Sequence, residues 1–324
     1  MISYVTRRAV FIGASAIPFV SSVRAQTPTW PHRLMTFVVP FAAGGPVEPS
    51  ARLIADHLAR RLGQPAIVES RPGAAGSIGA RGVVNSTDGH TFLFFTGSIA
   101  TIPAIQKNPG FDLFRDLAPV SVISEIPMAL AVRSDSTLRS VANLVERARI
   151  KPESISYGSS GPGSTTHLAW LLLQIRTGSK FLHAPYRGAS ASLNGLYTGE
   201  IDAVIGDLGL LLPHFREGKL RLLGVTSKAR VALIPDIPAL AETVPEYDID
   251  IWHCLFAPHQ TPPGVVDLLM RELAPLRENS PLSQHLAAGG GKVLLTGPSA
   301  LTDRLRREVP LWRQVLQSAG IEPQ

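Results

Sequence analysis

The chain has 324 residues with one cysteine, and its 31 basic against 25 acidic side chains give a formal charge of +6. That excess is mild and evenly spread, which argues against a nucleic-acid partner. Cys254 has no intrachain partner, so stability comes from burial, and Trp252, Leu255 and Phe256 place it inside.

Residues 1–25 read as a cleaved signal peptide. Arg7 and Arg8 form a basic start, Ala9 to Val20 an apolar core too short for a stable anchor, and Val23-Arg24-Ala25 a cleavage site before Gln26. The Arg pair before Ala9-Val10-Phe11 also points weakly to the twin-arginine route. The expected destination is the periplasm. Without these residues, 28 basic side chains face 25 acidic ones. The rest of the chain is long enough for two domains.

The apolar run Leu34 to Val39 predicts a strand buried on both faces, followed by Pro40-Phe41-Ala42-Ala43-Gly44-Gly45-Pro46 and a helix over Glu48–Leu62. Glycines at a helix start expose backbone amides to the positive end of the dipole, which suits an anion. Further strands are expected at Ala66–Glu69, Thr91–Thr96, Pro119–Ile123, Met128–Val132, Ser154–Tyr157, Lys180–Pro185, Ala203–Ile205 and Leu220–Thr226. Helical patterns fall at Val141–Arg149, Ser164–Arg176 and Ala189–Thr198. The alternation argues for parallel sheets covered by helices on both sides, with ligands beyond the strands' carboxyl ends. Helices over Val265–Arg277 and Ala300–Gln317 should kink or split at Pro275 and Pro310.

Gly- and Ser-rich loops recur at these strand ends: Pro72 to Gly79, Thr96-Gly97-Ser98, Gly158 to Thr166, and Pro185 to Ser190. One such loop alone reads as an ordinary turn or cap before it reads as a ligand site. With the first they make five, which points to a site of neutral donors with few fixed charges. A serine hydrolase using Ser159 or Ser160 with His167 is the competing class. It lacks a Gly-x-Ser-x-Gly elbow, an orienting acid and metal-ligand spacing.

The ordered set Val39 to Pro46, Val68 to Ala74, Tyr157 to Ser164, Pro185-Tyr186-Arg187-Gly188, Leu233 to Pro238 and Ala257-Pro258 resembles the Bug-type solute receptors of tripartite tricarboxylate transporters. The resemblance implies a type II periplasmic binding protein: two doubly wound α/β domains with a hinge and an interdomain cleft closing on a small carboxylate. It implies no cofactor, metal or catalysis, a monomer, and transmembrane transporter subunits as partners. By position, Phe41, Gly44, Gly45, Ser77, Gly97 and Ser98 would line one side of the site. Ser159, Ser160, Ser164, Thr165, Tyr186, Arg187, Gly188 and Asp207 would line the other. His167 is read as a packing or hydrogen-bonding residue, Glu48 as a capping residue, and Arg187 either as a second carboxylate's partner or as a solvated loop residue. Val47-Glu48 replaces the family's usual Thr-Asp. Gly206 stands where an aspartate commonly faces the ligand, which suggests a ligand without an amine or hydroxyl substituent. Expected domains are 28–131 plus 252–324, and 132–251, with crossings near Ala131 and Trp252. A periplasmic module that senses the same ligand for a signalling system is the other reading the resemblance leaves open.

Overall fold

The structure, a computed structural model, describes residues 1–2 and 30–323; apart from Met1 and Ile2, the expected leader lies outside the described residues. Two mixed sheets organise the chain. The first holds β1 (Met35–Val39), β2 (Ala66–Ser70), β3 (Thr91–Thr96), β4 (Leu117–Ile126), β10 (Ile251–Pro258) and β11 (Lys292–Val293), in the order β11-β4-β10-β3-β1-β2. The second holds β5 (Met128–Arg133), β6 (Ser156–Ser159), β7 (Leu182–Pro185), β8 (Ala203–Asp207) and β9 (Leu220–Val225), in the order β7-β6-β8-β5-β9.

Parallel pairing, as expected from the strand–helix alternation, holds for β1 with β2 and β3, and for β6 with β7 and β8. The strands nearest the crossings run the other way: β10 is antiparallel to β3 and β4, and β5 to β8 and β9. No strand is expected from the sequence at Ile251–Pro258, yet β10 is buried along its whole length in the middle of the first sheet.

The chain leaves the first sheet at Ile126 and enters the second at Met128, with Pro127 alone between them. The expected crossing near Ala131 falls inside β5, where Ala131 pairs with Val204 and Leu222. A proline that cannot donate to a ladder is where one extended run changes sheets. The return lies just before Ile251. Thr226 ties the two crossings together: its hydroxyl accepts from Met128 N–H at 3.1 Å and lies 3.3 Å from Asp250 Oδ1.

Alternation along β5 divides the core. Met128, Leu130 and Val132 join a large apolar cluster continuous with the first lobe, while Ala129 and Ala131 face a smaller one. Cys254 is fully buried, as its neighbours suggest. Pro275 separates α8 (Pro263–Leu273) from a short 3-10 turn, whereas Pro310 sits within an unbroken C-terminal helix, α10 (Pro298–Ser318). Among the described residues, no helix is long and apolar enough to cross a membrane.

Candidate functional site

In the first lobe, the loop after β1 leads into α1 (Glu48–Leu62). Gly44 has φ +76°, a conformation that favours glycine even though space around it is open. Its N–H donates to Glu48 Oε2 at 2.6 Å, and Arg52 pairs with the same carboxylate. The Gly44 amide, then Arg52, holds the Glu48 carboxyl below its usual range. Gly45 N–H donates to Ala42 O at 3.3 Å. The amides expected to meet a ligand are therefore engaged by the chain itself, and Glu48 fills the anion seat.

Phe41 is half-buried with its ring edge against Phe95, at 5.3 Å between centroids. Ser77 donates to Ala74 O at 2.9 Å. Gly97 lies under Trp252: a Cβ there would fall 2.3 Å from the indole nitrogen. The Ser98 hydroxyl pairs with that of Thr96 at 2.8 Å, and Ser98 O accepts from Thr101 at 2.7 Å.

The second lobe's loop between β6 and α5 (Thr165–Thr177) is tied differently. Ser159, 1 % exposed, accepts from Gly161 N–H at 3.1 Å and lies 2.7 Å from His183 Nε2. Ser160 N–H donates to Thr166 Oγ1 at 2.9 Å, and the Ser164 hydroxyl to Gly161 O at 2.6 Å. Ser164 also caps α5 by accepting from His167 N–H at 3.3 Å. The first N–H groups of a helix have no intrahelical partner, so those of Thr165 and Thr166 stay available. The Ser160 and Thr165 hydroxyls donate to no described residue. At the start of α5, unlike that of α1, no acidic side chain of the first turn takes these amides.

The other expected residues divide. Tyr186 lays its ring against Gly158 and Gly195, filling space over α6 (Ala189–Thr198), and its buried hydroxyl has no partner. Arg187 is exposed and makes no ion pair with a described residue. Gly188, φ +110°, is the N-cap of α6. Asp207 caps α7 (Leu208–Arg216), accepting from Gly209 N–H at 2.7 Å, and burial raises its carboxyl to about 6. A Cβ at Gly206 would meet Leu211 at an ordinary 3.5 Å, so a side chain fits there and none is present.

The lobes meet where the Thr101 hydroxyl reaches Gly163 O at 2.9 Å, beside Ile105. Behind this contact, a cavity of about 280 Å³ runs from Gly97 and Thr165 between α5 and α10. Its hinge side carries Glu125, Asp248 and Asp250. Burial first, then Glu125 and Asp248, raises the Asp250 carboxyl to about 7. Arg304 sits 4.5 Å above the Trp252 ring and bonds Glu125 and Glu308 at 3.2 and 2.8 Å. Acidic side chains outnumber the two arginines on this cavity's lining, Arg176 and Arg304.

His183, Thr101, Thr166 and Trp252 escape the sequence reading. A signal for His183 exists: it is the ladder partner of Tyr157, and Ser159 lies two residues on, on the same strand face. His167 is a hydrogen-bonding residue, as expected from its place in the first helical turn; its Nδ1 accepts from Gly163 N–H at 3.1 Å.

The family described as Tripartite tricarboxylate transporter family receptor (TctC) matches residues 50–320. BugT of Bordetella pertussis is 30% identical over 90% of this chain and 91% of its own length. The structure of Rpa4515 from R. palustris with adipate superposes with a TM-score of 0.85 at 33% identity, covering 91% of this chain and all of that one. MatC (Rpa3494) of Rhodopseudomonas palustris with bound malate gives a TM-score of 0.81 at 27% identity, covering 89% and 100%.

Proposed function

The chain belongs to the tripartite tricarboxylate transporter receptor family, and from that premise we propose that it captures a small organic dicarboxylate in the periplasm and presents it to transmembrane transporter subunits. The observation that carries this reading is the start of α5, where no acidic side chain takes the Thr165 and Thr166 amides and where the Ser160 hydroxyl, accepting from Thr166 at 3.3 Å, keeps its own proton free. Gly163, in the same loop, accepts from Thr101 of the first lobe. One ligand carboxylate sits there, bound by neutral donors in a site sheltered from water. Phe41, Ser98 and neighbouring backbone of the first lobe close over the ligand, and Arg187 at the rim takes the second carboxylate. Closure follows from contacts made only in the liganded state, turning about Pro127 and the return before Ile251. The arginine-led leader directs the chain out of the cytoplasm.

The missing side chain at Gly206 favours a ligand without an amine substituent, and the bound adipate of the 33%-identical relative fits that class. Binding without conversion is the expected chemistry: Ser159 is buried, its hydroxyl is committed, and no acid backs His183 among the described hydrogen bonds.

A thermal-shift screen of C4 to C6 dicarboxylates, their amino-substituted analogues and monocarboxylates tests the reading. At about a hundred times its Kd, a binder stabilises the chain by about 2.7 kcal/mol. Unsubstituted dicarboxylates should lead, and Gly206→Asp should shift preference towards the amino-substituted series. Indifference to every dicarboxylate, or turnover of one, sinks the reading.

A further inference from the structure

Beneath the loop that carries the unclaimed donors, four rings stack through the second lobe. His167 and His183 lie 4.1 Å apart at 11°, His183 and Tyr157 4.8 Å apart at 15°, and Tyr157 and Trp170 4.5 Å apart at 23°. The two imidazoles end the stack nearest the loop, and each takes hold of it at a different point. His167 Nδ1 accepts from Gly163 N–H at 3.1 Å, which places that ring's proton on Nε2. Ser159 Oγ accepts from Gly161 N–H at 3.1 Å; its own proton has no other acceptor among the described residues and goes to His183 Nε2 at 2.7 Å.

We infer that His167 and His183 are positioning residues for ligand capture: two stacked imidazole acceptors that pin the loop 159–163 at Gly163 and, through Ser159, at Gly161. Pinned in this way, the loop presents Gly163 O to Thr101 of the other lobe and holds Ser160 beside the start of α5. The inference rests on the reading of this loop as half of a carboxylate site. It assigns Ser159 away from the ligand, since its proton and a lone pair are both spent inside the lobe. It also needs both rings neutral: a proton on His167 Nδ1 would set a donor against the Gly163 N–H, and a proton on His183 Nε2 would leave the Ser159 proton without its acceptor. Burial supplies that state, lowering His167 to about 3 and His183 to about 4. The ionisable groups stacked against the pair are each other and Tyr157, whose phenol burial pushes well above its usual range.

The test separates the acceptor from the ring in the full chain. His167→Asn sets an amide oxygen close to where Nδ1 lies, while His167→Phe keeps the stacked ring and removes the acceptor; His183→Gln and His183→Phe form the matching pair. Amide hydrogen exchange at Gly161 and Gly163 is read without any ligand, and calorimetry uses adipate as the probe. The Phe variants should lose exchange protection at their own glycine by tenfold or more and weaken adipate at least tenfold. The amide variants should retain most of both. Unchanged protection in the Phe variants, or equal loss in the amide and Phe variants, overturns the inference. If a Phe variant fails to fold, the imidazole ¹⁵N shifts of the wild-type chain decide: a His167 protonated on Nδ1 contradicts it. A wild-type chain that ignores adipate counts against the dicarboxylate reading alone, because the exchange result stands without it.

Discussion

Helices α1 and α5 both begin just after a glycine-rich loop at the cleft end of a strand, and both offer a positive dipole end to the space between the lobes. At α1 the seat is filled from within: Glu48 reaches back to the Gly44 amide and is steadied by Arg52. At α5 the cap is the neutral Ser164, and the loop's ties run downwards to two imidazoles, which leaves the first amides unclaimed. On the proposed reading, the ligand's carboxylate goes where the chain has not already supplied an anion. A single acidic residue in the first helical turn is enough to turn a receptor loop into a structural one. The two loops also depend on protons differently. One needs a carboxyl kept ionised, the other needs imidazoles kept neutral.

The largest test of that difference is the pH dependence of stability. His183 and His167 have native pKa values of about 4 and about 3, below the unfolded value, so between these limits the unfolded chain binds more protons. Their contribution is complete above about pH 6.5 and falls by about 1.4 kcal/mol per pH unit per ring as the solution is acidified. Asp207 and Asp250, raised to about 6 and about 7, oppose this slope, so the informative quantity is a difference between variants. Urea unfolding at pH 7, 6 and 5 should show His167→Asn losing stability less steeply than wild type, by about 0.7 kcal/mol between pH 7 and 6 and by about 1.2 kcal/mol between pH 6 and 5. Parallel curves would mean that His167 is not buried neutral.

Glu48→Gln probes the other loop. The native carboxyl is lowered, so its contribution is present above the unfolded pKa and lost as pH falls through the native one. The substitution should cost about 1–2 kcal/mol at pH 7 and progressively less as the solution is acidified below the ordinary carboxylate range, measured by urea unfolding. Adipate affinity should change less than threefold, because this seat is not the ligand's. A tenfold change would move the carboxylate to the first lobe.

The architecture was legible because strand and helix periods alternate cleanly, and because Pro and Gly mark the turns. The crossing was misjudged by a few residues: Leu117 to Arg133 is nearly one extended apolar run, and only Pro127 signals the change of sheet. Strand β10 escaped because Trp252-His253-Cys254 reads as irregular until burial on both faces explains it. Within the site, the glycine- and serine-rich loops were visible, but their hydrogen-bond partners were not. Glu48 lies four residues from Gly44 and could be read as a cap; His183 lies 24 residues from Ser159 and meets it only through the register of β6 and β7. Long-range register is what a single sequence leaves open.

Two smaller effects sharpen the contrast at the point where the lobes touch. Thr101 shares one hydroxyl proton between Ser98 O and Gly163 O, so Thr101→Val removes an interlobe bond while keeping the shape. It should lower the unfolding free energy by about 1 kcal/mol, the usual worth of a buried hydrogen bond, and weaken adipate by up to about fivefold where closure strengthens the contact. An unchanged affinity would show that ligand binding leaves this contact as it is.

Tyr186→Phe should have the smallest effect. The hydroxyl is buried without a partner, and the ring is wedged against Gly158 and Gly195. Deleting an unpaired buried hydroxyl relieves a desolvation cost, so stability should stay level or rise by up to about 1 kcal/mol in urea unfolding. Adipate affinity should stay within twofold, because the ring serves packing over α6 and not the cleft. A tenfold loss of affinity at constant stability would instead make that hydroxyl a ligand donor, and the second lobe would then hold its acid from both α5 and the loop after β7.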